Sequence, residues 1–276
     1  SLQKDILNAE TKISGIKEEI VQLDRSFLID NKEDTKQSSI KDGYFTIAGE
    51  KVNVNGCIQQ DSNYENIYSP QIESKDFNET VDLRRYLSDD IENQGMIGSC
   101  VTNAITSAIE YISNRATGKF FPMSRMFLYY TARSSGREGA DIKDEGCNIF
   151  QALLSAQAQG VCLEATWPYD IKKVNESPNA YAFVEAEKYK IEQFLKVTPN
   201  LDDMLSCLSE GYPFVFGLKI TDSFSQLDGI ISEPSPDEIR SDIHGNHALL
   251  CVGYNLKKEV FIVRNSWGKQ WGDKGY

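Results

Sequence analysis

The chain is poor in the side chains that usually hold metal ions. Its 276 residues include only two histidines, His244 and His247, and no pair of cysteines spaced as CxxC. Structural zinc sites depend on histidines and cysteine pairs at short, regular spacing. We therefore expect neither a metal nor another cofactor in this protein.

Cysteines are too few and too scattered for a disulfide scaffold. Six occur, at positions 57, 100, 147, 162, 207 and 251. Small secreted domains that depend on disulfides carry cysteine at a much higher density. We expect mostly reduced thiols, and this pattern favours a reducing setting, either intracellular or within a virion.

Long apolar runs and clusters of positive charge are also missing. No apolar stretch approaches the roughly 18 residues that a membrane span requires, and the net charge at pH 7 is −12. Because nucleic-acid binding needs clustered lysine and arginine, we expect neither a membrane nor a nucleic acid as a partner. The first residues, SLQKDILNAETK, lack an initiator Met and the layout of a secretory signal, which indicates processing or an engineered start.

The N-terminal part of the chain differs in pattern from the rest. Apolar residues recur through residues 2–27 at alternating spacings of four and three, which predicts a helix with one apolar seam. Because barely four heptads are present, we favour a helix docked on its own domain, with coiled-coil self-association as the alternative. Residues 30–80 are mostly polar, with one possible hairpin at YFTIAGEKVNV. We place the start of the main domain near Val81.

Helical patterns come first in the main domain, and strand patterns follow. One helix starts after Cys100 and stops at Gly118, a second begins near Ser124, and a third follows Asn148. Strands are predicted at YKIEQFLKV, YPFVFGLKI, HALLCVGY and EVFIVRN, a short helix at LDDMLSCLSEG, and an exposed loop at SEPSPDEIRSD. This order predicts an α+β fold with two packed halves and a cleft between them.

The stretch QGMIGSC ends in a cysteine that begins a predicted helix. The positive end of the helix dipole and the free N–H groups there favour a thiolate, so Cys100 is the candidate nucleophile. His247 follows at the roughly 130 to 150 residues that separate Cys from His in papain-like enzymes. In such a site His247 accepts the thiol proton and later protonates the leaving amine, while Asn265 fixes the tautomer of the imidazole ring.

Other residues near these three have candidate roles. The side-chain amide of Gln94, together with the Cys100 N–H, would donate to a developing oxyanion. Trp267 would shield the His–Asn hydrogen bond from water. The rival base is His244, but its surroundings, SDIHGN, indicate a loop that no strand follows directly.

The segments QGMIGSC, NHALLCVGY and NSWGKQWGDKGY occur in the order found in papain-family cysteine peptidases, which the chain resembles over about residues 81–276. The segments VDLRRYL and MSRMFLYYTAR resemble most a bacterial and large-virus subgroup of that family. The resemblance implies a two-lobed α+β fold: a helical lobe at about 90–180, an antiparallel β-barrel-like lobe at about 185–276, and the cleft between them. It also implies cleft positions at Gly98, Ser99, Gly146, Cys147, Asn148, Asn246, Trp267 and Trp271.

The chain departs from the family pattern in three places. Ile97 stands where a cysteine usually bridges to the counterpart of Cys147, so that disulfide is not expected. Ile149 and Phe150 replace two glycines that hydrogen-bond the substrate backbone in relatives. Relatives continue beyond Tyr276 with the last strands and the floor of the main specificity pocket, so we expect the C-terminal end to be incomplete.

The resemblance implies a cathepsin-like cysteine endopeptidase that hydrolyses protein or peptide substrates through an acyl-enzyme thioester. Residues 1–80 resemble the family's propeptide in position but not in motif. We hypothesise a zymogen, in which the helix docks on the main domain and the polar stretch near 55–78 occupies the cleft until the chain is cut near Val81. The alternative is an inactive or permanently autoinhibited papain-like binding protein. Exopeptidase, transpeptidase and deubiquitinase activities stay open as variants within the enzyme class.

Overall fold

The computed structural model describes residues 40–60, 62–73, 76–135, 141–225, 229–241 and 244–276. They belong to one compact unit that spans Ser38–Tyr276. This unit extends to the N-terminal side of Val81, so the polar segment before Val81 packs with the main domain. The helix predicted at residues 2–27 lies outside the described residues. No helix in the described part of the chain is both long and apolar enough to cross a membrane.

After three short strands, helices make up the middle of the described chain, and strands dominate its C-terminal part. In chain order they are β1 (Tyr44–Ile47), β2 (Glu50–Asn53), β3 (Thr80–Asp82), α1 (Cys100–Thr117), α2 (Arg125–Ser134), α3 (Ile149–Ala158), α4 (Ala180–Ala186), α5 (Leu201–Ser209), β4 (Phe214–Ile220), α6 (Pro236–Arg240), β5 (Gly245–Asn255) and β6 (Val260–Arg264). The predicted α+β fold is confirmed.

Local signals place the first three helices where the sequence predicts them. Helix α1 ends at Gly118, which adopts a left-handed conformation with φ 66°, as helix-terminating glycines commonly do. The Ser124 side chain caps α2 by accepting from the N–H of Phe127. The Asn148 side chain caps α3 by accepting from the N–H of Phe150. These helices pack around one apolar core of the helical lobe, whose largest members include Ile105, Met126, Phe127, Leu128 and Tyr129.

Strand β5 is the centre of a four-stranded antiparallel sheet. It pairs with β4 along residues 245–251, with β6 along residues 250–255, and with β3 along residues 253–255. The described strands do not close into a barrel, since β4 and β6 both pair with β5 rather than with each other. The expected barrel-like lobe is therefore an open sheet in this part of the chain.

Helix α1 packs on this sheet and joins the two halves. Ala104 and Tyr111 of α1 lie in one buried cluster with Leu250, Val252 and Tyr254 of β5. Burying an apolar side chain of this size contributes about 1.5 to 3 kcal/mol. This contact holds the start of α1, where Cys100 lies, beside the strand that carries the predicted base.

Three local predictions differ from the structure. YKIEQFLKV forms no strand; among the described residues it makes one isolated bridge, between Lys196 and Ile67, because its partner is a short N-terminal segment rather than the sheet. The loop SEPSPDEIRSD contains α6, which begins at a capping box between Ser235 and Glu238. Helix α4, capped by Asn179, has no counterpart in the prediction. The hairpin predicted at YFTIAGEKVNV is confirmed as β1 and β2.

Arg264, the last residue of β6, holds a loop onto the sheet through a buried ion pair. Its guanidinium donates to the Ser88 carbonyl at 2.9 Å, to the Asp90 carbonyl at 2.6 Å and to the Glu92 carboxylate at 2.9 Å. Only 2% of the Arg264 side chain is exposed. Because Asn265 follows directly, this network also supports the candidate site.

We expect Arg264→Met to lower the free energy of unfolding by about 3 kcal/mol, because it leaves a mostly buried Glu92 carboxylate without its cation. Urea unfolding followed by circular dichroism measures the loss. The matched control is Arg240→Met, whose partner Asp237 has a side chain that is 92% exposed; we expect a loss below about 1 kcal/mol there. Equal losses in the two variants would contradict the assigned role of Arg264.

Candidate active site

Cys100 is the first residue of α1 and is fully buried. The backbone N–H groups of Cys100, Val101 and Ala248 point at its sulfur and favour the thiolate. Burial acts in the opposite direction and is stronger, so it raises the pKa of the Cys100 thiol to about 12. The backbone around Cys100 therefore favours a thiolate, but burial of the site keeps the thiol protonated.

Adjacent antiparallel strands bring His247 and Asn265 together. His247 lies in β5 and Asn265 directly follows β6, and His247 Nε2 lies 2.8 Å from Asn265 Oδ1. An amide oxygen only accepts hydrogen bonds, so Nε2 carries the hydrogen and Nδ1 keeps a free lone pair. Nδ1 is buried and has no hydrogen-bond partner among the described residues. It is the ring atom that is free to accept a proton.

The imidazole of His247 is fully buried. The ring of Trp267 stacks on it, with ring centroids 4.6 Å apart. Burial lowers the pKa of His247 to about 4, although the hydrogen bond with Asn265 opposes this shift. At neutral pH, therefore, the site holds an uncharged imidazole and an uncharged Cys100 thiol.

Both candidate tryptophans are covered by the N-terminal hairpin. Trp267 makes edge contacts with Trp271 and with Phe45 of β1, each with centroids 5.6 Å apart. The Trp271 Nε1 donates to the Phe224 carbonyl at 2.7 Å. Trp271 thus lies in a buried cluster beneath β1 and β2 rather than on an open cleft edge.

Gln94 is buried behind the start of α1, and both ends of its amide are engaged. Its Oε1 accepts from the Ser266 hydroxyl at 2.7 Å. Its Nε2 donates to the Ile97 carbonyl at 3.1 Å and to the Asn53 carbonyl at 3.3 Å. The group predicted to stabilise an oxyanion therefore already binds a carbonyl of the N-terminal segment.

Residues 53–58, which we call the strap, lie across this site. At one end the Asn53 N–H donates to the Gly95 carbonyl at 3.0 Å. In the middle the Asn55 side chain accepts from the Asn246 N–H at 3.2 Å, and the Cys57 N–H donates to the Asn246 carbonyl at 3.1 Å. The Asn53 side chain also donates to the Met96 carbonyl at 3.3 Å, so the strap binds through its backbone and two polar side chains.

The backbone of Gly56 lies directly on the thiol. A Cβ at this position would come within 2.5 Å of the Gly98 carbonyl oxygen and 2.8 Å of Cys100 Sγ. The Gly56 carbonyl accepts from the Cys147 N–H at 3.0 Å, and the Ile58 N–H donates to the Cys147 carbonyl at 3.0 Å. This contact accounts for the complete burial of Cys100.

Of the predicted cleft positions, five border the strap: Gly98, Gly146, Cys147, Asn148 and Asn246. Gly146 has φ 80° and leaves room for the Gly56 carbonyl, which a Cβ there would approach within 2.5 Å. Ser99 differs from these five, because its hydroxyl faces Tyr169 and accepts from the Asn103 side chain. The expectation that no strand directly follows His244, the rival base, was wrong, because β5 begins at Gly245. The histidine that binds Asn265 is nevertheless His247.

Sequence reasoning missed some residues of the site. The Ser266 hydroxyl orients Gln94, and the Ala248 N–H points at the thiol. No sequence pattern marks Ser266 or Ala248 as a site residue, except that each directly follows a predicted site residue, Asn265 or His247. The sequence predicts a cleft-crossing stretch near 55–78, and the strap at 53–58 overlaps only the start of that range. The pattern NVNGC, a glycine among asparagines in a polar segment, is the signal that could have located it.

Comparisons with known proteins agree with this geometry. Residues 77–276 match the profile described as papain family cysteine protease. The chain is 36% identical to a peptidase C1-like protein of Acanthamoeba polyphaga mimivirus, covering 73% of this chain and 67% of that protein. It is 31% identical to bovine pro-cathepsin H, covering 67% of this chain and 54% of that protein.

A solved structure shows the same fold. Xylellain, a cysteine protease from Xylella fastidiosa, is 31% identical and superposes with a TM-score of 0.71 over 81% of this chain and 88% of that one. The chain spans about half the length of the cathepsins that it matches. The profile match covers most of the chain and includes Cys100, His247 and Asn265. This protein therefore belongs to the papain family of cysteine proteases.

Proposed function

We propose that this protein is a thiol endopeptidase made as a zymogen, with the strap as its inhibitory segment. One observation carries the proposal: the His247–Asn265 pair is assembled at 2.8 Å, while the Cys100 thiol, to which the N–H of the adjacent Ala248 points, is fully buried under Gly56. A reversible block of an active site requires reacting groups that are already in place and a covering segment that can be displaced. The name of bovine pro-cathepsin H, a proenzyme, supports the same interpretation.

The reaction follows from the roles of the individual atoms. With the strap displaced, His247 Nδ1 takes the proton of Cys100, and Sγ attacks the carbonyl carbon of a peptide. The resulting oxyanion accepts from the Cys100 N–H and from Gln94 Nε2, which the Asn53 carbonyl no longer occupies. The C–N bond then breaks as His247 protonates the leaving amine. Water hydrolyses the thioester and restores the thiol.

The strap inhibits in two ways. It fills the space above Cys100, so a substrate carbonyl cannot reach the sulfur. It also removes water from the site, and burial then disfavours the charged forms of Cys100 and His247, as their shifted pKa values show. Displacing the strap therefore opens the cleft and at the same time allows the thiolate–imidazolium pair to form.

A second candidate function is a permanently closed binding protein. Phe150, in place of a family glycine, packs against Tyr64 with ring centroids 4.7 Å apart and 64° between the ring planes. This contact adds to the attachment of the N-terminal segment to the cleft wall. A chain whose cleft stays closed under all conditions would bind partners through its outer surface and hydrolyse nothing.

The first prediction from the proposed function concerns Gly56. We expect Gly56→Ala to expel the strap, because the added Cβ would overlap Gly98 and Cys100. Labelling of Cys100 by an epoxide inhibitor of the papain family, followed by mass spectrometry, should become at least about 10-fold faster, which corresponds to about 1.4 kcal/mol of lost strap binding. The control for backbone strain alone is Gly118→Ala at the end of α1, where a Cβ meets nothing within 4 Å but the left-handed φ of 66° disfavours alanine. Equal labelling rates in both variants would refute the block by Gly56.

The second prediction concerns catalysis in the opened Gly56→Ala protein. Adding Cys100→Ala should abolish epoxide labelling and casein cleavage, while Cys162→Ala, which changes a buried thiol elsewhere, should not. Adding His247→Ala should slow casein cleavage by about 10²-fold or more, the usual contribution of a general base. Trimming near Val81 should occur only where Cys100 is present.

Labelling that survives both changes would overturn the assignment of Cys100 and His247. Labelling without any casein cleavage would favour the permanently closed binding protein instead.

The third prediction concerns pH. In the closed form the pKa of His247 is about 4, against 6.5 for the ordinary side chain, so between these values the opened form binds more protons. Acidification through this range should therefore favour opening, by up to about 3 kcal/mol. Hydrogen exchange at the Cys57 and Ile58 amides, corrected for intrinsic rates, should show protection falling from pH 6.5 to pH 4. In His247→Gln this dependence should be much weaker; an unchanged dependence would assign the effect to other groups.

A further inference from the structure

We propose that Cys57 and Cys147 form a disulfide that fastens the strap in the cleft, so that this protein is unlocked by reduction. The bond itself is independent of any activity, whereas its effect on hydrolysis rests on the proposed function. The inference adds a modification site to the strap, and it gives a role to two thiols that the catalytic mechanism leaves unused.

The backbone already aligns the two residues. Cys57 and Cys147 are Cα partners in an isolated parallel bridge. Hydrogen bonds flank the pair on both sides, from the Cys147 N–H to the Gly56 carbonyl and from the Ile58 N–H to the Cys147 carbonyl, each at 3.0 Å. Neighbouring strands lie about 4.8 Å apart, which is within the range of about 4.4 to 6.8 Å between the Cα atoms of disulfides. The main chain therefore needs little movement for the bond to form.

The surroundings suit a buried bridge. Both side chains are buried, and they share one apolar cluster with Ile97 and Cys100. Ile97 stands where the family resemblance implies the usual partner of Cys147, so no cysteine at position 97 competes with Cys57 for a disulfide with Cys147. Gly217 leaves space for the Cys57 side chain, since a Cβ there would come within 2.9 Å of Cys57 Sγ. Both thiols are unbridged in this structure.

The oxidant that we name is a low-molecular-weight disulfide such as oxidised glutathione. The Cys57 thiolate attacks one of its sulfurs, the S–S bond breaks, and one glutathione thiolate leaves. Cys147 then attacks Cys57 Sγ and displaces the second glutathione. Two protein thiols are thereby oxidised to one disulfide, one glutathione disulfide is reduced to two thiols, and those thiols take up the two protons. A dithiol such as dithiothreitol reverses both steps.

The bond has a direct consequence for the site. Gly56, next to Cys57, covers Cys100, and Cys147 belongs to the cleft wall. A covalent link between strap and wall keeps Gly56 over the nucleophile even when the backbone hydrogen bonds open. Burial raises the pKa of Cys57 to about 11, so exchange is slow until the strap opens briefly.

Peptide mapping of the full chain tests the bond. The protein is incubated with oxidised glutathione, its free thiols are alkylated, and the products of trypsin and chymotrypsin are analysed by mass spectrometry. We expect a peptide that contains Cys57 linked to one that contains Cys147. The link should be absent in Cys57→Ser and in Cys147→Ser and present in Cys162→Ser. A Cys57–Cys100 link, or alkylated or glutathionylated Cys57 and Cys147 without a link, would overturn the proposal.

Epoxide labelling of Cys100 tests the consequence. Oxidised wild type should be labelled at least about 10-fold more slowly than the same protein after dithiothreitol, whereas Cys57→Ser should respond much less to oxidation. An equal loss in Cys57→Ser would place the redox effect on Cys100 itself and overturn the lock. A mapped Cys57–Cys147 bond in a protein that never cleaves casein would instead reject the peptidase activity and leave the bond established.

Discussion

The contact between the Gly56 backbone and the first turn of α1 is the constraint on which the closed site depends. Gly98 and Cys100 lie so near Gly56 that no Cβ fits between them, and Gly146 must leave space for the Gly56 carbonyl on the other side. Three glycines therefore meet at one point of the cleft. Each lacks a side chain for the same reason, which is that two stretches of main chain approach within van der Waals distance. A side chain on Gly56 or Gly146 would push the strap away from the thiol, whereas one on Gly98 would press on Tyr129 and Gly146.

This close approach decides the charge state of the site. The helix start and the Ala248 N–H favour a thiolate, and Asn265 favours a protonated imidazole, yet both groups are neutral because burial disfavours their charged forms more strongly. In a medium of low dielectric constant the cost of two separate charges exceeds the gain from these hydrogen bonds. Under the proposed mechanism the same arrangement would favour the ion pair once water enters, so displacement of the strap alone would change the charge states of Cys100 and His247.

Sequence patterns predicted those parts of the structure whose signals are local. Helix α1 follows from apolar spacing and a terminating glycine, and the pairing of His247 with Asn265 follows from a motif at the ends of two strands. YKIEQFLKV has the composition of a strand, yet its backbone hydrogen-bonds only at separate points, to Ala156 and Val161 and to residues 66 and 68, which no local pattern reveals. The strap was expected only within a broad polar region. Its position depends on partners more than thirty residues away, such as Gly95, and on others much farther along the chain.

Two departures from the family pattern concern residues that contact the N-terminal segment. Ile149 and Phe150 stand where the family resemblance implies two glycines that hydrogen-bond the substrate backbone. Phe150 instead makes edge contacts with Tyr64 and Phe194. The wall of the cleft is therefore shaped to hold a segment of its own chain. The departure at Ile97 leaves Cys147 without its usual partner, and Cys147 pairs with Cys57 of the strap in an isolated bridge instead. Side chains at these positions therefore help to hold the N-terminal segment in the cleft. Under the proposed function the same wall would meet a substrate once the strap leaves, so one set of side chains would bind either the N-terminal segment or the substrate.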